Sequence, residues 1–341
     1  MKSVLVIKLS SVGDVVMATA AVSHLKAETG ASITWIVDEG MASILDHNPL
    51  VDRLLLYPRD PFHKDSRTAL SFTRRSAELV RTLLSREYDL AIDLQGRPRT
   101  YLLLQAARAG RKIGRGLFPL LPQTVRHRRS VQRHAVLACF ETLDLLGLPR
   151  PAEPRLFLPS TREDCSKVGQ LLTSLGTARG RYAVILPATT WRSKTWPAEH
   201  WTKTADWLIG QGLDVILLGS SRDLEITERI RGNVKKPGRL FPLLGCLNLR
   251  ELLPLFQGAR LVLGGDTGPV HIAAATEVPI VALYGASDPL RTGPWPPGRA
   301  LTLTAPGCRA CRLPQCRRKC MPRLLPDQVI AAVEGLGICT K

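Results

Sequence analysis

Acidic residues are scarce in this chain of 341 residues: 29 Asp and Glu stand against 47 Lys and Arg, a formal net charge of +18. An excess of that size sets up a positive potential and implies an acidic partner. Aromatic residues make up only 5%, which argues against base stacking as the main mode of recognition. Long hydrophobic runs are missing too. The apolar stretches at 183–186 and 215–218 fall far short of the roughly 20 residues that span a bilayer. The first residues imitate a secretory signal, but Lys8 interrupts their apolar run and Gly13-Asp14 stands where it should continue, so a cytoplasmic protein is expected. No G-x-G-x-x-G follows the first predicted strand, and there is no Walker A sequence and no Asp-x-Asp pair for a divalent ion. Eight cysteines, clustered as they are, do not make a secreted disulfide scaffold.

What remains is an ordinary globular balance, 45% hydrophobic and 22% charged, which excludes disorder as the main state. The length suggests two domains. The basic excess is uneven: Leu94 to Phe140 and Pro289 to Pro326 carry many Lys and Arg but no Asp or Glu. Arginine dominates both runs, which favours forked recognition of phosphate or carboxylate, although a solvated arginine-rich surface gives the same composition. Cys308, Cys311, Cys316 and Cys320 form C-x2-C-x4-C-x3-C. Four thiolates at that spacing could hold zinc or an iron-sulfur cluster, but the pattern also fits a loop of reduced thiols and matches no common metal motif closely.

Short β-branched runs alternate with helical stretches. Strands are expected at Ser3–Lys8, Ile33–Val37, Arg53–Tyr57 and Tyr88–Leu94. Helices are expected at Asp14–Glu28, amphipathic and ended by Gly30, and at Thr68–Ser85, Thr100–Ala109 and Arg133–Leu146. Pro149, Pro151, Pro154 and Pro159 then mark a linker. Beyond it the alternation restarts, with strands at Tyr182–Leu186, Asp214–Leu218, Arg260–Leu263 and Ile280–Tyr284. The helices between them open at Pro197 and Arg222, cover Leu249–Gln257, and run from Gly268 to about Thr276. Such alternation implies two doubly wound parallel sheets, which bind ligands beyond the carboxyl ends of their strands.

Those ends carry the candidate chemistry. Gly13 lets the first loop turn tightly into its helix, and Asp14 projects from the first turn. A carboxylate there can accept a proton from a substrate hydroxyl, and it also suits the positive end of a helix dipole without any further role. Thr189, Thr190 and Lys194 lie at a strand-helix junction suited to phosphate, although Lys194 also fits as an exposed lysine beside tryptophans that cap a core. Asp266, Thr267 and Gly268 precede Pro269, which opens a helix bearing His271. Tyr284 to Pro289 closes the next strand with hydroxyls and turn residues.

Lys8–Asp14, Lys194–Pro197, Asp266–His271 and Tyr284–Pro289, with Val37–Gly40 after the second strand, resemble the signature segments of glycosyltransferase family 9, the ADP-heptose:lipopolysaccharide heptosyltransferases. The resemblance implies an α/β protein of the GT-B fold, two Rossmann-like domains facing across a cleft. Residues 1–150 would bind the acceptor, 151–160 would link the halves, 161–325 would bind the nucleotide sugar, and 326–341 would form a C-terminal helix. It implies inversion at the sugar carbon with neither cofactor nor metal, and Asp14 as the catalytic base. Thr189, Thr190, Lys194, Asp266, Thr267, Gly268 and His271 match the donor site. For the carboxylate on the ribose, Asp223 and Glu225 both qualify. Ser10, Gly13, Arg97 and Arg99 would meet the acceptor. The expected partners are ADP-heptose, a lipid A–Kdo core acceptor and an anionic inner-membrane surface, the last meeting Arg126, Arg128 and Arg129 around Pro119 and Pro122. Another nucleotide sugar, or a basic nucleic-acid-binding protein without catalysis, are the alternatives; nucleic acid is not the expected partner.

Overall fold

Val4 to Ile7 are apolar, largely β-branched and fully buried, the signature of a strand covered on both faces. In the computed structural model they form β1 (Ser3–Ile7). The structure describes residues 1–58, 66–116, 124–125, 133–315 and 318–338; Pro119, Pro122, Arg126, Arg128, Arg129 and Cys316 lie outside them. The chain divides into two compact units, Met1–Pro159 and Ser160–Lys341.

In the first unit, β1 is followed by α1 (Val12–Thr29), β2 (Ser32–Asp38), α2 (Ala42–Leu45), β3 (Arg53–Tyr57) and α3 (Ser66–Ser85). Then come β4 (Glu87–Asp93), α4 (Pro98–Ala106), β5 (Arg108–Arg115), β6 (Thr124–Val125) and α5 (Ala135–Leu143). The sheet order is β3-β2-β1-β4-β5-β6, every pair parallel. The chain winds outward from β1 in one direction and then, from β4, in the other. A crevice opens at that reversal, beyond the ends of β1 and β4.

The second unit repeats the plan. Its elements are α6 (Arg162–Ser174), β7 (Tyr182–Leu186), α7 (Ala198–Gly210), β8 (Asp214–Gly219), α8 (Leu224–Arg231), β9 (Leu240–Leu244) and α9 (Leu252–Gly258). They continue through β10 (Leu261–Gly265), α10 (Gly268–Ala274), β11 (Ile280–Tyr284), α11 (Pro289–Thr292), β12 (Leu301–Thr304) and α12 (Pro326–Glu334). The sheet order β12-β11-β10-β7-β8-β9 is again all parallel, with its reversal between β7 and β10. Trp196 and Trp201 are buried with their rings edge to face, centroids 4.7 Å apart, and the indole N–H of Trp196 donates to Leu324 O at 2.8 Å.

Several expectations are corrected. The helix expected over Thr100–Ala109 ends at Ala106, and Arg108–Arg115 is a strand. That strand is held by backbone pairing to β4; of its eight residues only Ile113 and Gly114 are buried, so no apolar pattern announces it. β9 and β12, unassigned from the sequence, are the two edges of their sheet. β9 carries Pro242, which an edge tolerates. α6 is also absent from the sequence expectations, although Thr161 and Asp164 cap it reciprocally, at 3.1 Å and 2.7 Å. α1 is not amphipathic, because residues all round it, from Val15 to Val22, are buried.

Gly30 ends α1 at φ 61° with open space around its Cβ position, whereas at Gly96, φ 69°, a Cβ would stand 2.6 Å from Arg115 O. Gly30→Ala should therefore cost about 1 kcal/mol, the left-handed penalty alone. Gly96→Ala should cost roughly 2–4 kcal/mol, because a backbone carbonyl cannot step aside. Denaturant unfolding of both variants reads the difference; equal costs would contradict it.

Candidate functional site

At the reversal of the first sheet, Lys8 follows β1 and is only 5% exposed. Its backbone is tied to the second strand: Lys8 N–H donates to Ile36 O at 3.2 Å and Lys8 O accepts from the Trp35 indole at 3.2 Å. The ammonium lies 3.2 Å from Asp14 Oδ1 and 3.5 Å from Leu94 O, beyond β4. The other carboxylate oxygen of Asp14 accepts from the backbone N–H and hydroxyl of Ser11, at 3.2 Å and 3.1 Å. Asp14 thus takes part in the cap of α1, one of its two sequence readings, and also lines the cavity at this end of the sheet. Burial pushes its carboxyl up, but the Lys8 ammonium and the Ser11 donors outweigh burial and hold the group below the ordinary carboxylate range.

The loop after β4 supports this arrangement. Asp93, 2% exposed, accepts from Gln95 N and Gly96 N at 2.8 Å and 3.0 Å and from the Thr100 hydroxyl at 2.8 Å. Burial still raises its carboxyl above the usual range despite these donors. The turn it fixes carries Gln95, whose side-chain oxygen accepts from Leu9 N and Ser10 N at 2.7 Å and 3.2 Å. Arg99 donates to the Ser10 hydroxyl at 3.2 Å, with its guanidinium 5.9 Å from the Tyr57 ring centre. Ser10, Asp14, Arg97 and Arg99 line one cavity of about 590 Å³, together with Lys8 and Gln95. Gly13 is buried in the first turn of α1 behind it. The sequence expectations include no part for Lys8 or Gln95. The available signal was that each stands at the end of a predicted central strand.

At the reversal of the second sheet, Lys194 and Asp266 meet at 2.6 Å with side chains 17% and 9% exposed. Lys194 also stands 4.5 Å from the ring centre of Trp191, while Trp196 lies in the core. Thr189 donates to Trp191 O at 2.9 Å and shares a hydrogen bond with the Thr195 hydroxyl at 2.9 Å. Ser193, 3% exposed, fixes the loop from the other side: its N–H donates to Pro314 O at 3.1 Å and its hydroxyl to Leu313 O at 2.5 Å. The stretch around the cysteine cluster is therefore attached to the loop of Lys194. Thr267 stands at the N-cap position of α10 without a side-chain capping hydrogen bond, Gly268 begins the helix and His271 is buried within it. Thr190 is exposed.

Asp223 and Glu225 follow β8, on the side of β7 away from β10. The Asp223 carboxylate accepts from Ser220 N and the Ser220 hydroxyl at 2.7 Å and 2.9 Å, and Glu225 is exposed. Neither is joined to the Lys194–Asp266 pair by a hydrogen bond. Cys308 donates its thiol to Gly285 O at 2.7 Å, Cys311 is exposed and Cys320 is buried. Among the described residues no three His, Cys, Asp or Glu side chains are grouped to hold a metal ion, and no helix is long and apolar enough to cross a membrane.

The model of glycosyltransferase family 9 (heptosyltransferase) matches residues 76–321. Lipopolysaccharide heptosyltransferase 1 of Escherichia coli O18:K1:H7 (strain RS218 / NMEC) is 30% identical over 295 residues, 84% of this chain and 86% of the relative. Among solved structures, the glycosyl transferase family 9 protein of Veillonella parvula DSM 2008 superposes with a TM-score of 0.82 at 23% identity, covering 98% of this chain and 97% of its own. E. coli heptosyltransferase WaaC with ADP gives 0.75 at 27% identity, covering 98% and 99%.

Removing one member of a pair as enclosed as Lys194–Asp266 leaves a charge without its partner. Asp266→Ala should lower unfolding stability by up to about 3 kcal/mol. Adding Lys194→Met should restore at least about 1 kcal/mol of that loss, a coupling read by a double-mutant cycle in denaturant. Additive costs would show that the ions do not depend on each other.

Proposed function

The chain belongs to glycosyltransferase family 9, an α/β protein of the GT-B class, and we propose that it moves a heptosyl residue from ADP-heptose to the inner core of lipopolysaccharide with inversion. A Kdo or heptose hydroxyl is the acceptor. The observation that carries this reading is the cavity of the first unit, where an ionised Asp14 shares a wall with Arg97 and Arg99. It joins a proton acceptor to groups that grip carboxylates and phosphates, as an acidic sugar acceptor requires.

The acceptor oxygen attacks the anomeric carbon from the face opposite ADP, a C–O bond forms, and the bond to the diphosphate breaks. A carboxylate held below its ordinary range is a weak base. It takes the hydroxyl proton late, as bond formation makes that hydroxyl acidic. A positioned base is worth about 10²–10⁴ in rate. Lys194 and the start of α10 offset the negative charge that grows on the departing diphosphate. Since they supply this charge, and no Asp-x-Asp pair occurs in the sequence, the reaction is assigned no metal.

In the same reading Thr189, Thr190, Asp266, Thr267, Gly268 and His271 bind the donor. Asp223 or Glu225 holds the ribose, and Ser10, Gly13, Arg97 and Arg99 bind the acceptor. The first unit takes the acceptor, the second takes the nucleotide sugar, and the proline-rich stretch 151–160 links them. The enzyme works at the cytoplasmic face of the inner membrane, drawn there by its positive charge.

Asp14→Asn should abolish transfer while leaving ADP affinity within a few-fold of wild type by calorimetry. Lys194→Ala should weaken that affinity and slow the chemical step. Near-normal turnover of Asp14→Asn would remove Asp14 as the base.

Replacing Arg97 and Arg99 with Ala should raise the acceptor KM even for a short acceptor without lipid. Neutralising Arg126, Arg128 and Arg129 should spare that soluble reaction and weaken binding to anionic vesicles by up to about 1 kcal/mol per charge. Equal behaviour of the two groups on the soluble acceptor would refute the division.

A further inference from the structure

We propose that Lys8 is the positioning residue of the catalytic carboxylate: it keeps Asp14 ionised and aims one of its oxygens, and so sets the pH below which transfer fails. The inference rests on Asp14 as the base but makes a separate claim about what tunes it. Lys8 is the more enclosed partner, its side chain 6% exposed against 42% for Asp14. Taking an ammonium out of water is costly unless an anion is paired with it.

Asp14 is the carboxylate with which Lys8 forms its ion pair, at 3.2 Å. Asp93, at the end of β4, is also within the field of Lys8, but its carboxylate is already occupied by the backbone of Gln95 and Gly96 and by Thr100. Arg97 and Arg99, from the start of α4, line the same cavity as Asp14. Arg99 is directed to the Ser10 hydroxyl and toward the Tyr57 ring. Ser11 holds Asp14 Oδ2 and Lys8 holds Oδ1, so the carboxylate is gripped at both oxygens. The Lys8 backbone is in turn fixed on both sides by β2.

The burial that raises the proton affinity of Asp14 would then act without its main counterweight if the ammonium were removed. Asp14 would still be capped by Ser11 and would still face the cavity, but it would be protonated at a higher pH. An opposite charge at this range typically shifts a carboxylate by about one to three pH units.

The test is the pH profile of kcat/KM for heptosyl transfer in wild type, Lys8→Met and Lys8→Arg, with Asp14→Asn alongside. Lys8→Met keeps the side chain's length and apolar stem. It should move the acid limb upward by about one pH unit or more and regain rate as the pH rises above the new midpoint. Lys8→Arg should keep the limb low. A purely structural role would lower activity at every pH without moving the limb. If Asp14→Asn is inactive but the Lys8→Met limb coincides with that of wild type, the positioning role is overturned while the base stands. If Asp14→Asn turns over normally, the base itself fails and Lys8 has nothing to position. A direct reading needs no variant that folds poorly: the carboxyl carbon resonance of Asp14, titrated in the wild-type protein, should have its midpoint below that of an ordinary aspartate. A midpoint at or above the ordinary value overturns the proposal.

Discussion

In a parallel sheet with helices over both faces, only the strand ends reach solvent, and at the winding reversal two neighbouring ends stand side by side without a crossover between them. Polar side chains can be placed there without interrupting the core. Both sheets of this chain have that order, and both use the reversal in the same way. In the first unit Lys8, at the end of β1, reaches Asp14 and the carbonyl of Leu94 beyond β4. In the second, Lys194 follows β7 and meets Asp266 beyond β10. Each reversal thus holds a lysine–aspartate ion pair, although no sequence repeat relates the halves.

The two pairs differ in what they leave free. Asp14 keeps a partly exposed carboxylate at a cavity wall, while Lys194 and Asp266 are both largely enclosed. In the first unit the lysine is the buried partner and the carboxylate is presented. In the second, Asp266 and the Trp191 ring flank the ammonium, and Ser193 ties its loop to the chain around Leu313. In the proposed function, the first end takes a proton and the second meets an anion. Fixing these groups before substrate arrives means that little reorganisation is needed during reaction.

The buried strands are legible because continuous apolar runs have few other fates: Tyr182–Leu186 and Ile280–Tyr284 have the expected bounds. β5, β9 and β12 were not legible. They are recruited by pairing with a neighbour, and side chains such as Arg108, Arg111 and Pro242 carry no core-facing pattern. The candidate side chains could be found where they follow a predicted strand or a glycine turn, as Asp14, Arg97 and Lys194 do. Gln95 escaped because its part is a clamp on the backbone of Leu9 and Ser10, 85 or more residues away in sequence. Lys8 escaped because a lysine at the end of an apolar strand reads as the end of the strand. Its importance lies in a partner six residues on, across a turn.

Heptosyl transfer is tested most directly by mass spectrometry of one reaction: the purified protein with ADP-heptose and a deacylated Kdo–lipid A fragment, beside a panel of other nucleotide sugars. The expected result is a product heavier by one heptosyl residue, with one ADP released per product. Transfer from another nucleotide sugar while ADP-heptose is left unused, or no product from any pairing of donor and core fragment, would contradict it.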